Sequence, residues 1–193
     1  MSEQELQAKL DELAKELEVP GASVGVLIDG EEHYAFTGAT CTEHSLPVDA
    51  STLFQFGSTG KTYTATALLR LEEQGLVDLD APVRTYVPEL VLKDDDVACR
   101  VTVLQLLNHT AGWEGDLMTD TGAGDDALEK YVGLMADIQQ VAPLGSSVSY
   151  NNASLSLAGR IIEKVTGSTF EKAIGDLLLT PLGMTNTLSL IHI

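Results

Sequence analysis

From Ser58 to Leu179 the apolar residues recur mainly at three- and four-residue spacings, separated by Gly-, Pro- and Asp-rich breaks, so this long stretch is expected to be almost wholly helical. Only one segment ahead of it reads as sheet. Ala22 to Ile28 is apolar and β-branched, Asp29-Gly30 is a turn signal, and His33 to Phe36 can return as the partner strand. Before that hairpin, Ser2-x-x-Glu5 forms a capping box, and Leu6, Leu10, Leu13 and Leu17 recur at helical spacing up to Val19-Pro20-Gly21. One helix, one hairpin and then a helical region, with no internal repeat, exclude an all-β or a solenoid architecture. At 193 residues the chain is long enough to bury a real core.

Within the helical region, Ala65, Leu68, Leu69 and Leu71 mark a helix that Gly75 can end, and Val83 to Leu90 reads as a short segment stopped by Pro88. Asp94-Asp95-Asp96 reads as a solvated loop. Thr102-x-x-Gln105 is a second capping box, opening a short helix through Leu107. Thr119 to Asp126 reads as loop, and Ala127 to Ile138 as helix. Leu155, Ala158, Ile161, Ile162 and Val165 form the next apolar face, and Ser168-x-x-Glu171 caps one more helix, which ends at Thr180-Pro181.

The formal net charge is -18, from 29 acidic and 11 basic side chains. Such a surface repels phosphate backbones and anionic lipid, so neither nucleic acid nor a membrane surface is an expected partner. Cys41 and Cys99 have no metal-ligand pattern around them and are expected as two unpaired thiols. No apolar run approaches the length of a membrane span, and Met1 to Glu5 is acidic and lacks the features of an export leader, so the expected compartment is cytoplasmic. His33 and His44 are expected at solvated positions.

Phe56-Gly57-Ser58-Thr59-Gly60-Lys61-Thr62 opens the first helix after the hairpin. Ser58 and Lys61 stand three apart, which in a helical turn places hydroxyl and amine on one face within reach of each other. A serine hydroxyl is a weak nucleophile until a neighbouring base takes its proton, and free N–H groups at a helix start favour developing negative charge. Taken alone, the segment has two other readings. A phosphate-binding loop requires a glycine five positions before the last one, but Gln55 stands there, and Gly57 leaves too short a loop to wrap a phosphate. In the third reading Ser58 merely caps a helix and Lys61 is solvated.

Three further segments follow in order: Leu106-Leu107-Asn108-His109-Thr110-Ala111-Gly112, then Tyr150-x-Asn152, then Pro181-Leu182-Gly183-Met184. Together with Ser58-x-x-Lys61 they resemble the serine β-lactamase and penicillin-binding-protein superfamily. Within it the chain is most similar to the class C β-lactamase-related serine hydrolases, which include esterases, D-aminopeptidases and D,D-peptidases. The likeness runs from about Val19 to Thr187, with Thr59-Gly60 an unusual filling of the first motif and Leu144 standing where a second proline is common.

The resemblance implies an α/β (α+β) sandwich with an antiparallel sheet flanked by helices and a mainly helical subdomain. Residues 1–57 would supply the helix and hairpin of the α/β part, and 58–179 the helical region with the first two motifs, all within one partial domain spanning 1–187. It implies that Ser58 is acylated, that Lys61 and Tyr150 share a proton network, and that Asn152 hydrogen-bonds Lys61 and the substrate carbonyl or amide. An ammonium beside a phenol favours the phenolate and the reverse, so the two titrations are coupled. The backbone N–H of Ser58 would supply one oxyanion donor.

The implied substrate is a small-molecule ester or amide, including a β-lactam or D-amino-acid peptide, handled without metal or organic cofactor. An acyl-accepting sensor on the same fold that does not release the acyl group is the alternative. His109 is expected to fix a loop rather than to serve Ser58 as a base, and Trp113 is left between cleft and core. The family's third motif, a Lys or His followed two residues later by Gly, has no counterpart after Met184. Leu188 to Ile193 reads like the translation of a transposon-end adapter used in sequencing libraries, so residues 188–193 are expected to be a non-native tail on a truncated reading frame. The chain as written is therefore expected to be inactive.

Overall fold

A computed structural model describes residues 2–188, and the expected adapter-derived tail lies outside them except for Leu188. The chain forms two compact units, one ending at Gln55 and one beginning at Phe56.

The first unit opens with helix α1, Glu3–Glu16, whose capping box forms as expected. Ser2 Oγ accepts from the Glu5 N–H at 3.3 Å, and Glu5 Oε2 accepts from the Ser2 N–H at 2.8 Å, satisfying two first-turn donors. Strands β1, Gly21–Ile28, and β2, Glu31–Gly38, pair antiparallel from Gly21↔Gly38 to Ile28↔Glu31. Asp29 and Gly30 both have positive φ, the geometry that lets a two-residue turn follow the right-handed strand twist. Helix α1 packs on β2, where the Gln7 side chain accepts from the Phe36 N–H at 3.2 Å and donates to the Phe36 carbonyl at 2.9 Å. One glutamine thereby satisfies both backbone groups that Phe36 presents away from β1. His33, expected at a solvated position, is half-buried on β2, whereas His44 is exposed.

The second unit is helical, as its periodicity predicts. A 3-10 turn, Gly57–Thr59, runs into α2, Gly60–Glu73. There follow α3, Asp95–Arg100; α4, Val103–Leu107; α5, Ala127–Leu134; α6, Asn152–Thr166; and α7, Phe170–Ile174. Helix α6 lies at the centre and packs against α2, α4, α5 and α7. Its Leu157, Ala158, Ile161 and Ile162 are fully buried, together with Leu68, Leu71, Val83, Leu90, Leu106 and Met135. Each such Leu, Ile, Val or Met side chain contributes about 1.5–3 kcal/mol on leaving water. Arg160 on α6 bonds Glu163 at 3.0 Å and reaches Glu129 of α5 at 2.7 Å. Glu163 in turn accepts from the Phe170 N–H at 3.3 Å, which ties α5, α6 and α7 together through one ionic cluster.

Two expectations are corrected here. Asp94 to Asp96 is not a loop: Asp94 caps α3, accepting from the Val97 N–H at 3.2 Å, and the next two aspartates occupy its first turn, where the helix dipole favours them. The cap of α7 is Thr169 rather than Ser168, and past Ile174 the chain widens into a π-helical turn, Gly175–Leu179. Trp113 is core, 1% exposed. The Thr102–Gln105 capping box forms, and both cysteines are free and exposed. Among the described residues no helix is long and apolar enough to cross a membrane.

Candidate active site

The first wall of the site is the turn that starts α2. Gly57, at φ +53°, takes a conformation that a side chain disfavours, and it redirects the chain from Phe56 into the 3-10 turn. Ser58 lies in this turn and Lys61 in the first turn of α2, and residues three apart along a helical path share a face. Lys61 Nζ donates to Ser58 Oγ at 3.0 Å. The Phe56 and Tyr63 rings stack at 5.4 Å beside them.

The second wall is the segment entering α6. Tyr150 is more than half exposed, and Lys61 Nζ stands 4.9 Å from its ring centroid. Its phenol is held below the ordinary phenol range, first by hydrogen bonding to Lys61, then by hydrogen bonding to Ser58. Partial burial and the Asp116 carboxylate oppose that shift. Serine, lysine and tyrosine therefore meet, although Tyr150 follows Ser58 by more than ninety residues.

What holds Tyr150 in place is its neighbour. Asn151 is 1% exposed and uses its whole side chain. Its Oδ1 accepts from the Ser154 N–H at 2.7 Å, capping α6, and from Trp113 Nε1 at 3.1 Å. Its Nδ2 donates to the Trp113 carbonyl at 3.0 Å. Gly115 lets this segment approach: a Cβ there would lie 2.9 Å from the Tyr150 carbonyl oxygen and 3.2 Å from Asn151 Cα. The Gly115 carbonyl accepts from the N–H groups of Asn152 and Ala153, at 3.1 and 3.0 Å.

His109 has the fixing role expected for it. Its Nδ1 accepts from the Asn151 N–H at 3.1 Å, and its carbonyl accepts from the Ser149 N–H at 2.8 Å. The ring packs on Tyr150 with centroids 4.9 Å apart. An accepting Nδ1 needs a neutral imidazole, and burial followed by the Lys61 charge lowers the His109 pKa accordingly. No hydrogen bond joins it to Ser58 among the described residues.

Asn152 departs from expectation. Its side-chain nitrogen donates to Asp116 Oδ1 at 2.6 Å rather than meeting Lys61. A carboxylate accepts a charge-assisted bond from the amide N–H, whereas the Lys61 ammonium is itself a donor and has use only for the amide oxygen. The sequence reading missed Asp116, Gly115 and Asn151. A carboxylate four residues after Gly112 carries no local signature, and Asn151 was legible only as an Asx cap before an apolar run. No group of three or more His, Cys, Asp or Glu among the described residues is placed to hold a metal ion.

On the helical unit, then, a serine bonded to a lysine stands beside a tyrosine against the same ammonium. The chain belongs to the Beta-lactamase family, whose model matches residues 6–189. It is 38% identical over 184 residues to a penicillin-binding protein 4 of Amycolatopsis lactamdurans, covering 95% of this chain and 48% of that protein. Among solved structures, SurE superposes with a TM-score of 0.82 at 30% identity, over 94% of this chain and 39% of that one. A class C β-lactamase from Rhodobacter sphaeroides superposes with a TM-score of 0.74 at 31% identity, over 91% and 48%. The chain spans about half the length of the curated relatives it matches.

Proposed function

We propose that the parent protein is a serine hydrolase that acts on small-molecule esters or amides through an acyl-enzyme at Ser58. The 3.0 Å contact from Lys61 to Ser58, with Tyr150 against the same ammonium, carries this reading. Lys61 and Tyr150 share the proton removed from Ser58 as the hydroxyl attacks the carbonyl, and return it to the leaving group. Ser58 lies in a first turn, whose N–H groups lack intrahelical acceptors, so its amide is available to the developing oxyanion. Asn152 holds the substrate carbonyl or amide beside the nucleophile.

Labelling with a fluorophosphonate followed by peptide mass analysis tests the assignment. The label is expected on Ser58, slowed at least a hundredfold in Lys61→Met and abolished in Ser58→Ala; a label elsewhere overturns it. A second reading, an acyl-accepting sensor, draws on the similarity to a penicillin-binding protein. Recovery of free Ser58 after reaction with a fluorescent penicillin favours the hydrolase, and a lasting adduct favours the sensor. By itself the 193-residue chain, about half the length of its curated relatives, is expected to turn over no ester. Hydrolysis of p-nitrophenyl acetate through Ser58 by the purified chain overturns that expectation.

A further inference from the structure

Asp116 is exposed, lies next to the reacting groups and belongs to none of the expected motifs. Its Oδ1 accepts from Asn152 Nδ2 at 2.6 Å, and its charge is felt at the Tyr150 phenol, which it pushes up against the effect of Lys61. None of the ion pairs among the described residues includes it. A carboxylate can only accept, so the amide nitrogen of Asn152 must be the atom turned towards it. That leaves the amide oxygen of Asn152 and its second N–H for a bound molecule. An amide oxygen beside an unneutralised carboxylate makes this end of the site rich in acceptors and negative in charge.

We propose that Asp116 is a specificity-determining residue that selects acylating molecules by charge. It favours those carrying an ammonium or another N–H donor at the Asn152 end and disfavours those carrying a carboxylate there. The proposal rests on the acyl-transfer reading of Ser58 but names a selectivity that reading does not contain. Coulomb attraction across a few ångströms of partly wet cleft is worth a severalfold preference, reduced by salt.

The experiment uses three fluorophosphonates with matched alkyl tails ending in ammonium, methyl or carboxylate, and reads the second-order rate of Ser58 labelling on the intact chain. A net charge of -18 biases any rate towards the cationic probe, so the diagnostic quantity is the change in the cation-to-anion ratio caused by one substitution. Asp116→Asn keeps an acceptor of the same shape and removes the charge. The ratio is expected to fall threefold to tenfold in this variant, whatever the change in the methyl probe's rate. Glu73→Gln is the charge control. Glu73 lies twelve residues beyond Lys61 on α2, about 18 Å along the axis at 1.5 Å per residue and beyond the Debye length at physiological salt, so its ratio should not move. An equal fall in both variants, or none in Asp116→Asn, overturns the proposal.

If the methyl probe leaves Ser58 unlabelled, the acyl-transfer reading fails, and the charge selectivity is read without it. In protein labelled with 15N-asparagine, the Asn152 side-chain resonances report binding at this end of the site. They are expected to respond more strongly to hexylammonium than to hexanoate. Resonances that respond equally to the two ligands, or that keep the difference in Asp116→Asn, overturn the proposal.

Discussion

The two walls of the site are built to different standards. On the Ser58 wall, Ser58 and Phe56 are exposed, the 3-10 turn has no side-chain cap, and Ser58 is held by its side-chain bond from Lys61. On the other wall the Tyr150 side chain is just as open to solvent, but the residue after it is buried and bonded at both ends of its amide. The nucleophile needs only its helical turn to be aimed at Lys61, because the spacing is local. Tyr150 comes from another part of the chain and reaches the same ammonium only if a loop of irregular backbone is held in one place. Positioning there is done by groups that do no chemistry: Asn151, His109 and Gly115.

Asn151→Ala probes that contrast most severely. It removes the α6 cap and leaves Trp113 Nε1, the Trp113 carbonyl and the Ser154 N–H without their buried partner, at about 1 kcal/mol or more for each. A loss of about 3 kcal/mol in chemical denaturation is expected, against a change within about 0.5 kcal/mol for Ser58→Ala at the exposed wall. Equal losses in the two variants would show that the walls are not differently held.

A smaller effect separates the two glycines that shape the walls. Gly115→Ala must push the Tyr150 carbonyl away from a 2.9 Å contact, so it should cost about 1–2 kcal/mol and also slow Ser58 labelling by displacing the phenol. Gly57→Ala meets no neighbouring atom and bears only the backbone cost of positive φ, about 1 kcal/mol. Labelling in Gly115→Ala at the wild-type rate, despite lost stability, would mean that the approach matters to packing and not to Tyr150.

The same contrast explains what could be read from the sequence. Periodicity and caps disclosed α1, the hairpin, α2, α4 and α6, because those elements are set by residues three to eight apart. Ser58 and Lys61 were legible for the same reason, and Tyr150 through the spacing and order of the family's motifs. The bonds that hold the second wall span 38 residues from Trp113 to Asn151, 42 from His109 to Asn151 and 36 from Asp116 to Asn152. No local pattern records a pairing at that range. The three aspartates at 94 to 96 show the opposite error, since a charge run was taken for loop where a cap and a helix dipole made it the start of α3.

The smallest expected effect is a pH dependence that belongs to the second wall alone. His109 accepts the Asn151 N–H at Nδ1, and its folded pKa is lowered, chiefly by burial and then by Lys61. The unfolded chain, with His109 at the ordinary value of about 6.5, then takes up this proton before the native state does. The stability it contributes is fully present above about pH 6.5, declines as pH falls from there towards the lowered native value, and stays lost below it. His109→Asn is the comparison, because asparagine tolerates the positive φ of 61° and offers an acceptor that does not titrate. Subtracting the variant's stability profile from the wild type's cancels the carboxylates common to both. The difference is expected to slope upward with pH only in that window, and a matching histidine titration by NMR should show the lowered native value. A difference that slopes the other way would mean a protonated imidazole is the native form, and the bond from Asn151 would then not be what holds Tyr150 to the site.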